Sequence, residues 1–212
     1  MSKIAVIDYG MGNLRSVSKA IEHVAGQISV VVTSDPAEVM AAERVVFPGQ
    51  GAMPDCMHEL EIRGLKQAVL QAASSKPFLG ICIGQQMLFD WSEEGHVPGL
   101  SVFSGKVLHF PVERMKTIEG ARLKVPHMGW NEVRQVISHP LWAGIPDRQR
   151  FYFVHSYYVV PAEPELTLGE CDYGLPFTAA VGRDNVFAVQ FHPEKSAAAG
   201  LQLLENFTRW HP

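Results

Sequence analysis

Four short apolar runs, each followed by a turn and then by helical periodicity, do most to limit what this chain can fold into. Lys3 to Ile7, Ile28 to Val32, Arg44 to Phe47 and Pro77 to Ile81 are continuous runs rich in β-branched and other apolar residues. A strand that is apolar throughout is buried on both faces, and such strands belong to a parallel sheet covered by helices. The intervening segments read as those helices. Leu14, Val17, Ile21 and Val24 recur at helical spacing up to Gly26. Asp35-Pro36 starts a short helix with a capping carboxylate and a proline at the first helical position. A longer helix is expected from Pro54 to Ala73.

The second half changes character. Ser104 to Phe110, Glu132 to Ile137, Phe151 to Val160, Thr167 to Glu170, Phe177 to Val181 and Val186 to Phe191 are strand-like, and Arg183-Asp184-Asn185 reads as a hairpin connection. Ser196 to Trp210 closes the chain as an amphipathic helix with Leu201, Leu204 and Phe207 on one face. The 212 residues suffice for one sizeable core and not comfortably for two. With no repeat or linker to divide them, residues 1–212 are expected to form a single α/β domain with an antiparallel extension.

Composition narrows the partners. The formal charge is −4 and the 18 basic residues form no run or stripe, so neither nucleic acid nor an anionic membrane is the expected main partner. No apolar run approaches the roughly 20 residues of a membrane span, and Met1-Ser-Lys-Ile-Ala-Val-Ile reads as a first strand rather than a signal peptide. The three cysteines, Cys56, Cys82 and Cys171, are scattered without CxxC spacing. That argues for a reducing cytoplasm and against a disulfide framework or a structural zinc. No metal-ligand cluster is visible, and the glycines of Asp8-Tyr-Gly-Met-Gly-Asn13 suit a tight turn, so no cofactor is called for.

Cys82 stands out within Pro77-Phe-Leu-Gly-Ile-Cys-Ile-Gly-Gln-Gln86. Gly80 and Gly84 flank it where an apolar strand gives way to a helix. This follows the logic of the G-x-S-x-G elbow, in which a nucleophile sits on a sharp strand-to-helix turn among small neighbours. The positive end of a helix also favours a thiolate. The alternative is a buried cysteine that merely packs. A nucleophilic cysteine needs a base, and the base needs a group to orient it. His192, in Val189-Gln-Phe-His-Pro-Glu-Lys195, follows a strand and has Glu194 two residues on. Its alternative role is a polar turn capping the last helix. His155, in Phe153-Val-His-Ser-Tyr157, is the chief competitor as base, although a histidine on an apolar strand is more often a satisfied core residue.

Together "GICIGQQ" and "QFHPEKS" resemble the class I, triad-type glutamine amidotransferases. Further segments, "IDYGMGNLRSV", "FPGQGA", "VPHMGWN" and "YFVHSYY", are similar to the glutaminase subunits of imidazole glycerol phosphate synthases, and the match spans nearly the whole chain. The resemblance implies a three-layer α/β fold with a mostly parallel, flavodoxin-like sheet. It implies Cys82 as nucleophile, His192 as general base and acid, and Glu194 as the group fixing the imidazole. For the oxyanion it implies the backbone N–H of Ile83 and one at Gln50 or Gly51 after a peptide flip, which glycine permits. Gln86, Ser156 and Tyr157 match the positions that hold the glutamine amino and carboxylate groups. The implied partner is a (β/α)₈ cyclase that uses the ammonia to form imidazole glycerol phosphate and AICAR in histidine biosynthesis, with Asn13, Trp130, Tyr152 and Lys195 near the docking face.

Two positions depart from the family pattern: Gln50 stands where an aliphatic residue is more usual, and Gln85 where methionine is common. Neither removes a catalytic group. Rival readings are the pyridoxal phosphate-forming glutaminase, a hydrolase of γ-glutamyl peptides, and a silent binding subunit. The "VPHMGWN" and "YFVHSYY" segments weigh against the first, and the joint presence of Cys82, His192 and Glu194 against the last.

Overall fold

The computed structural model describes residues 2–117 and 119–212. The first half alternates strand and helix in the order β1 (Lys3–Ile7), α1 (Leu14–Val24), β2 (Ser29–Thr33), α2 (Pro36–Ala41), β3 (Arg44–Gly49), α3 (Met53–Ile62), α4 (Lys66–Ala73), β4 (Phe78–Cys82) and α5 (Ile83–Gln86). The remaining elements are β5 (Phe89–Ser92), β6 (Val97–Pro98), β7 (Phe103–His109), β8 (His127–Gln135), β9 (Gln149–His155), β10 (Tyr157–Pro161), β11 (Thr167–Asp172), β12 (Pro176–Arg183), β13 (Val186–Val189) and α6 (Ala197–Arg209).

The strands form one mixed sheet whose central path runs β2-β1-β3-β4-β13-β12-β10-β7-β5-β6. From β2 to β13 every pairing is parallel. The order 2-1-3-4 followed by one further parallel strand is that of the flavodoxin-like doubly wound sheet. Every residue of β3 and of β4 is buried, as continuous apolar strands between two helical layers must be. Helix α1 packs on α6, and α2 on α4. Beyond β13 the path turns antiparallel through β12, β10 and β7, and β11, β8 and β9 branch from β12 as a second antiparallel arm. Among the described residues, no helix is long and apolar enough to cross a membrane.

The helix expected from Pro54 to Ala73 is two helices. Gly64 adopts φ +68°, where the Gly64 N–H bonds the Glu61 carbonyl and the Leu65 N–H bonds the Leu60 carbonyl. That pair of bonds is a Schellman stop, and it ends α3 before α4 begins. The strand expected from Phe151 to Val160 likewise breaks at Ser156: β9 pairs with β8, whereas β10 pairs with β7 and β12. Strand β8 starts at His127, ahead of the expected Glu132, and β5 and β6 went unanticipated. On α6, Leu203 joins Leu204 and Phe207 in the core, while Leu201 is only partly buried.

Candidate active site

The parallel strands β3, β4 and β13 aim their carboxyl ends at one cleft of about 270 Å³. Cys82 ends β4 at φ +56°, ψ −113°, a region that non-glycine residues rarely occupy. Backbone strain of this kind costs about 1–3 kcal/mol and persists only where the surroundings enforce it. Here they do. A Cβ at Gly84 would sit 1.9 Å from the Phe47 carbonyl oxygen, and one at Gly80 would sit 2.9 Å from the Ala188 Cβ. The two glycines supply room for close approach, and Cys82 itself carries the strained dihedrals. Helix α5 is a single turn.

His192 follows β13 and faces the same cleft. Its Nδ1 lies 2.9 Å from Oε1 of Glu194, whose side chain is almost wholly buried. Burial lowers the His192 pKa, but the Cys82 sulfur and then the Glu194 carboxylate outweigh burial and raise it well above the ordinary imidazole range. The Nε2 atom is buried and makes no hydrogen bond of ordinary length, although Cys82 stands close enough to raise the ring's pKa. The turn carrying His192 is tied to β9. The His192 N–H donates to the Tyr152 carbonyl (2.9 Å), the Tyr152 N–H donates to Ser196 Oγ (2.9 Å), and that hydroxyl donates to the His192 carbonyl (2.6 Å).

Gln50, Gly51, Ile83, Gln86, Ser156, Tyr157 and Lys195 all line the cleft with Cys82 and His192. Gln86 is buried, and its Nε2 donates to the Tyr157 carbonyl (3.1 Å) and to Oε1 of Gln190 (2.9 Å). Its Oε1 has no partner, leaving an acceptor at the cleft. Gln190, which sequence reasoning passed over, donates through Nε2 to Cys82 Sγ at 3.7 Å. Ser196 was passed over too; both lie inside the quoted "QFHPEKS" stretch, but nothing in a linear reading shows what they touch. Gln85 is buried and donates to the Ala188 carbonyl at 3.2 Å, away from the chemistry.

His155 lines the cleft, yet both of its nitrogens are engaged. Its Nδ1 lies 2.8 Å from the Tyr157 carbonyl, so that nitrogen carries the proton. Nε2 is therefore an acceptor, 3.0 Å from His127 Nδ1, and His127 Nε2 accepts in turn from Asn131 Nδ2 at 3.4 Å. Burial lowers His155 to about 3 and His127 to about 4, so both rings are neutral. A neutral, fully bonded imidazole is a brace for the Ser156-Tyr157 backbone, which leaves His192 as the candidate base.

Outside the cleft, Trp130 faces Tyr152 across β8 and β9 with ring centroids 6.1 Å apart, and the Lys195 ammonium lies 5.9 Å from the Tyr152 ring centre. Trp130 is 51% exposed and its neighbour Met128 63% exposed. Asn13 opens α1 without capping it through its side chain. It follows Gly12, whose added Cβ would lie 3.8 Å from Gly49 Cα, so this turn stands against the end of β3.

A strained elbow cysteine beside a histidine–carboxylate pair, on a sheet of this order, defines a class-I glutamine amidotransferase, and the family model of that description matches residues 5–210. The relatives are more particular. The chain is 71% identical to the imidazole glycerol phosphate synthase subunit HisH of Dechloromonas aromatica (strain RCB), over 99% of this chain and 97% of that protein. It is 68% identical to the subunit of the same name from Aromatoleum aromaticum (strain DSM 19018 / LMG 30748 / EbN1), over 100% of both chains. It therefore belongs to the HisH family of class-I glutamine amidotransferases. Among solved structures the fold is shared with PurLQS from Thermotoga maritima (TM-score 0.72, 18% identity, 98% of each chain). A glutamine amidotransferase crystal structure has the same TM-score of 0.72 at 16% identity, over 97% of each chain.

Proposed function

We propose that this chain is the glutaminase subunit of an imidazole glycerol phosphate synthase, releasing ammonia from glutamine for a cyclase partner. The observation that carries the chemistry is Cys82 held at φ +56° in one cleft with His192, whose far nitrogen is fixed by buried Glu194. With the thiol proton already held on His192, whose pKa is raised, Cys82 Sγ bonds the carboxamide carbon of glutamine. Collapse of the tetrahedral intermediate breaks the C–N bond, and His192 returns the proton to the departing ammonia. Water, deprotonated by His192, then breaks the thioester to give glutamate and restore the thiol. The Ile83 N–H and one from Gln50 or Gly51 stabilise the oxyanion. Each such donor is worth about 100-fold or more in rate, so this pair decides how fast the subunit runs. Gln86 Oε1 receives the substrate ammonium, and the Ser156-Tyr157 backbone braced by His155 meets its carboxylate.

Free ammonia has no acceptor within this chain's cleft, which gives the Trp130, Tyr152 and Lys195 patch its role. Lys195 belongs both to that patch and to the cleft, so a cyclase docked there, with Asn13 near its rim, sits beside the ammonia source. The test is glutamate release by the chain alone and with a cyclase subunit plus its phosphoribosyl ligand. Low turnover alone and strong stimulation in the complex are expected. Equal turnover in both conditions would refute the coupling. Cys82→Ala should abolish glutamine-dependent cyclisation and leave ammonium-dependent cyclisation intact; glutamine-dependent turnover by that variant would refute the nucleophile.

A further inference from the structure

The end of β3 carries a mechanical arrangement that the chemistry above leaves unused. Tyr9 Oη, fully buried, donates to the Pro48 carbonyl at 2.9 Å. Cys56 Sγ, from α3, donates to the Gln50 carbonyl at 3.6 Å. One carbonyl, that of Gly49, is thereby skipped: the pinned ones belong to the Pro48–Gly49 and Gln50–Gly51 peptides, and the Gly49–Gln50 peptide lies between them. The ladder explains what that middle peptide faces. In a parallel pair each bonding residue donates to one side of its partner and accepts from the other. The Val45 N–H donates to Pro77, the residue before its partner Phe78. Gly49, four residues on and opposite Cys82, repeats that orientation and turns its carbonyl toward the Ile83 N–H.

We infer that Tyr9 and Cys56 are positioning residues that pin the flanking peptides, so that the Gly49–Gln50 peptide turns alone and exchanges its carbonyl for the Gln50 N–H beside Ile83. The proposal deepens the oxyanion reading above and rests on it. Turning one peptide plane needs only opposite changes in ψ of residue 49 and φ of residue 50. At position 49 a side chain is excluded, since a Cβ there would meet Tyr9 Oη at 2.6 Å and Ile83 Cβ at 2.8 Å. Gly51, at φ +113°, absorbs the exit of the chain from the strand. Both clamps stay protonated donors at neutral pH. Burial, followed by Cys56 and Cys82, raises Tyr9 well above its ordinary value, and burial pushes the Cys56 thiol up to about 11.

The test compares Tyr9→Phe, Cys56→Ala and Cys56→Ser in the complex with cyclase and its ligand. Tyr9→Phe and Cys56→Ala should each lower glutaminase kcat by about tenfold, the size of one lost hydrogen bond in the transition state. Glutamine KM and the rate of Cys82 alkylation by iodoacetamide, followed on the Cys82 peptide by mass spectrometry, should stay within about twofold, because neither reads the oxyanion. Cys56→Ser keeps a donor and should restore most of the lost kcat. Unchanged kcat in both deletion variants, a parallel loss of alkylation, or a rise in turnover without cyclase would overturn the proposal; the last would mean that the clamps hold the site shut. If Tyr9→Phe does not fold, the Cys56 pair decides. Failure of the underlying glutaminase reading looks different: the parent complex would then release no glutamate from glutamine, or Cys82→Ala would still release it.

Discussion

Gln190 shows what single side chains do here. Its amide is oriented without ambiguity: Oε1 accepts from Gln86, so Nε2 points at the Cys82 sulfur. A hydrogen bond to a charged acceptor contributes about 1.5–3 kcal/mol. Gln190→Leu should therefore lower kcat by roughly 10- to 100-fold. Unlike Tyr9→Phe, it should also slow alkylation of Cys82, because it strips a donor from the sulfur itself. Gln86 keeps its bond to the Tyr157 carbonyl, so KM should rise less than kcat falls. Steady-state kinetics and an alkylation time course check this, and an unaltered alkylation rate would remove Gln190 from the nucleophile's support.

At the scale of elements, glycines set both boundaries and contacts, and for different reasons. Gly64 needs its left-handed backbone but no space, since nothing lies within 4 Å of a Cβ built there. Gly64→Ala should therefore cost about 1–2 kcal/mol of backbone strain in urea unfolding and leave glutaminase activity alone. Gly84 is the reverse case: ordinary dihedrals and no room at all. The parallel strands, α1, α2 and the hairpin at Asp184 were legible because apolar runs, caps and turn residues are local signals. So was the grouping of Cys82, His192 and Glu194, because these residues sit in two short motifs. The break at Ser156 was not legible: the run from Phe151 to Val160 is uniformly strand-like, and only its partners, β8 before the break and β7 with β12 after, make two strands of it. Tyr9 and Gln190 escaped for the same cause, since each bonds a residue distant in sequence, while Cys56, six residues from Gln50, has no pattern of its own.

For the molecule as a whole, the buried imidazoles link stability to pH, and the sign follows from where the protons go. Unfolded, His127 and His155 titrate near the model-peptide value of about 6.5. Folded, burial first of all keeps them neutral until about pH 4 and about pH 3, while each is already fully used in the chain from Asn131 to the Tyr157 carbonyl. Below about pH 6.5 the unfolded chain thus binds protons that the folded chain refuses, and stability falls as the pH falls. The slope approaches about 1.4 kcal/mol per pH unit for each ring. His192 does not offset it in that window. Its pKa is raised, so both states are protonated there, and its own contribution is lost only as the pH climbs above the unfolded value. Urea unfolding between pH 7 and pH 4.5 should show this acid slope. His127→Phe keeps a ring to stack against Tyr173, now 3.9 Å from His127 between centroids, and removes one titrating group, so its slope should be shallower by about one proton. A variant as pH-sensitive as the parent would mean that the acid lability comes from elsewhere, and that the histidine chain braces the glutamine-binding strand without charging the fold for it.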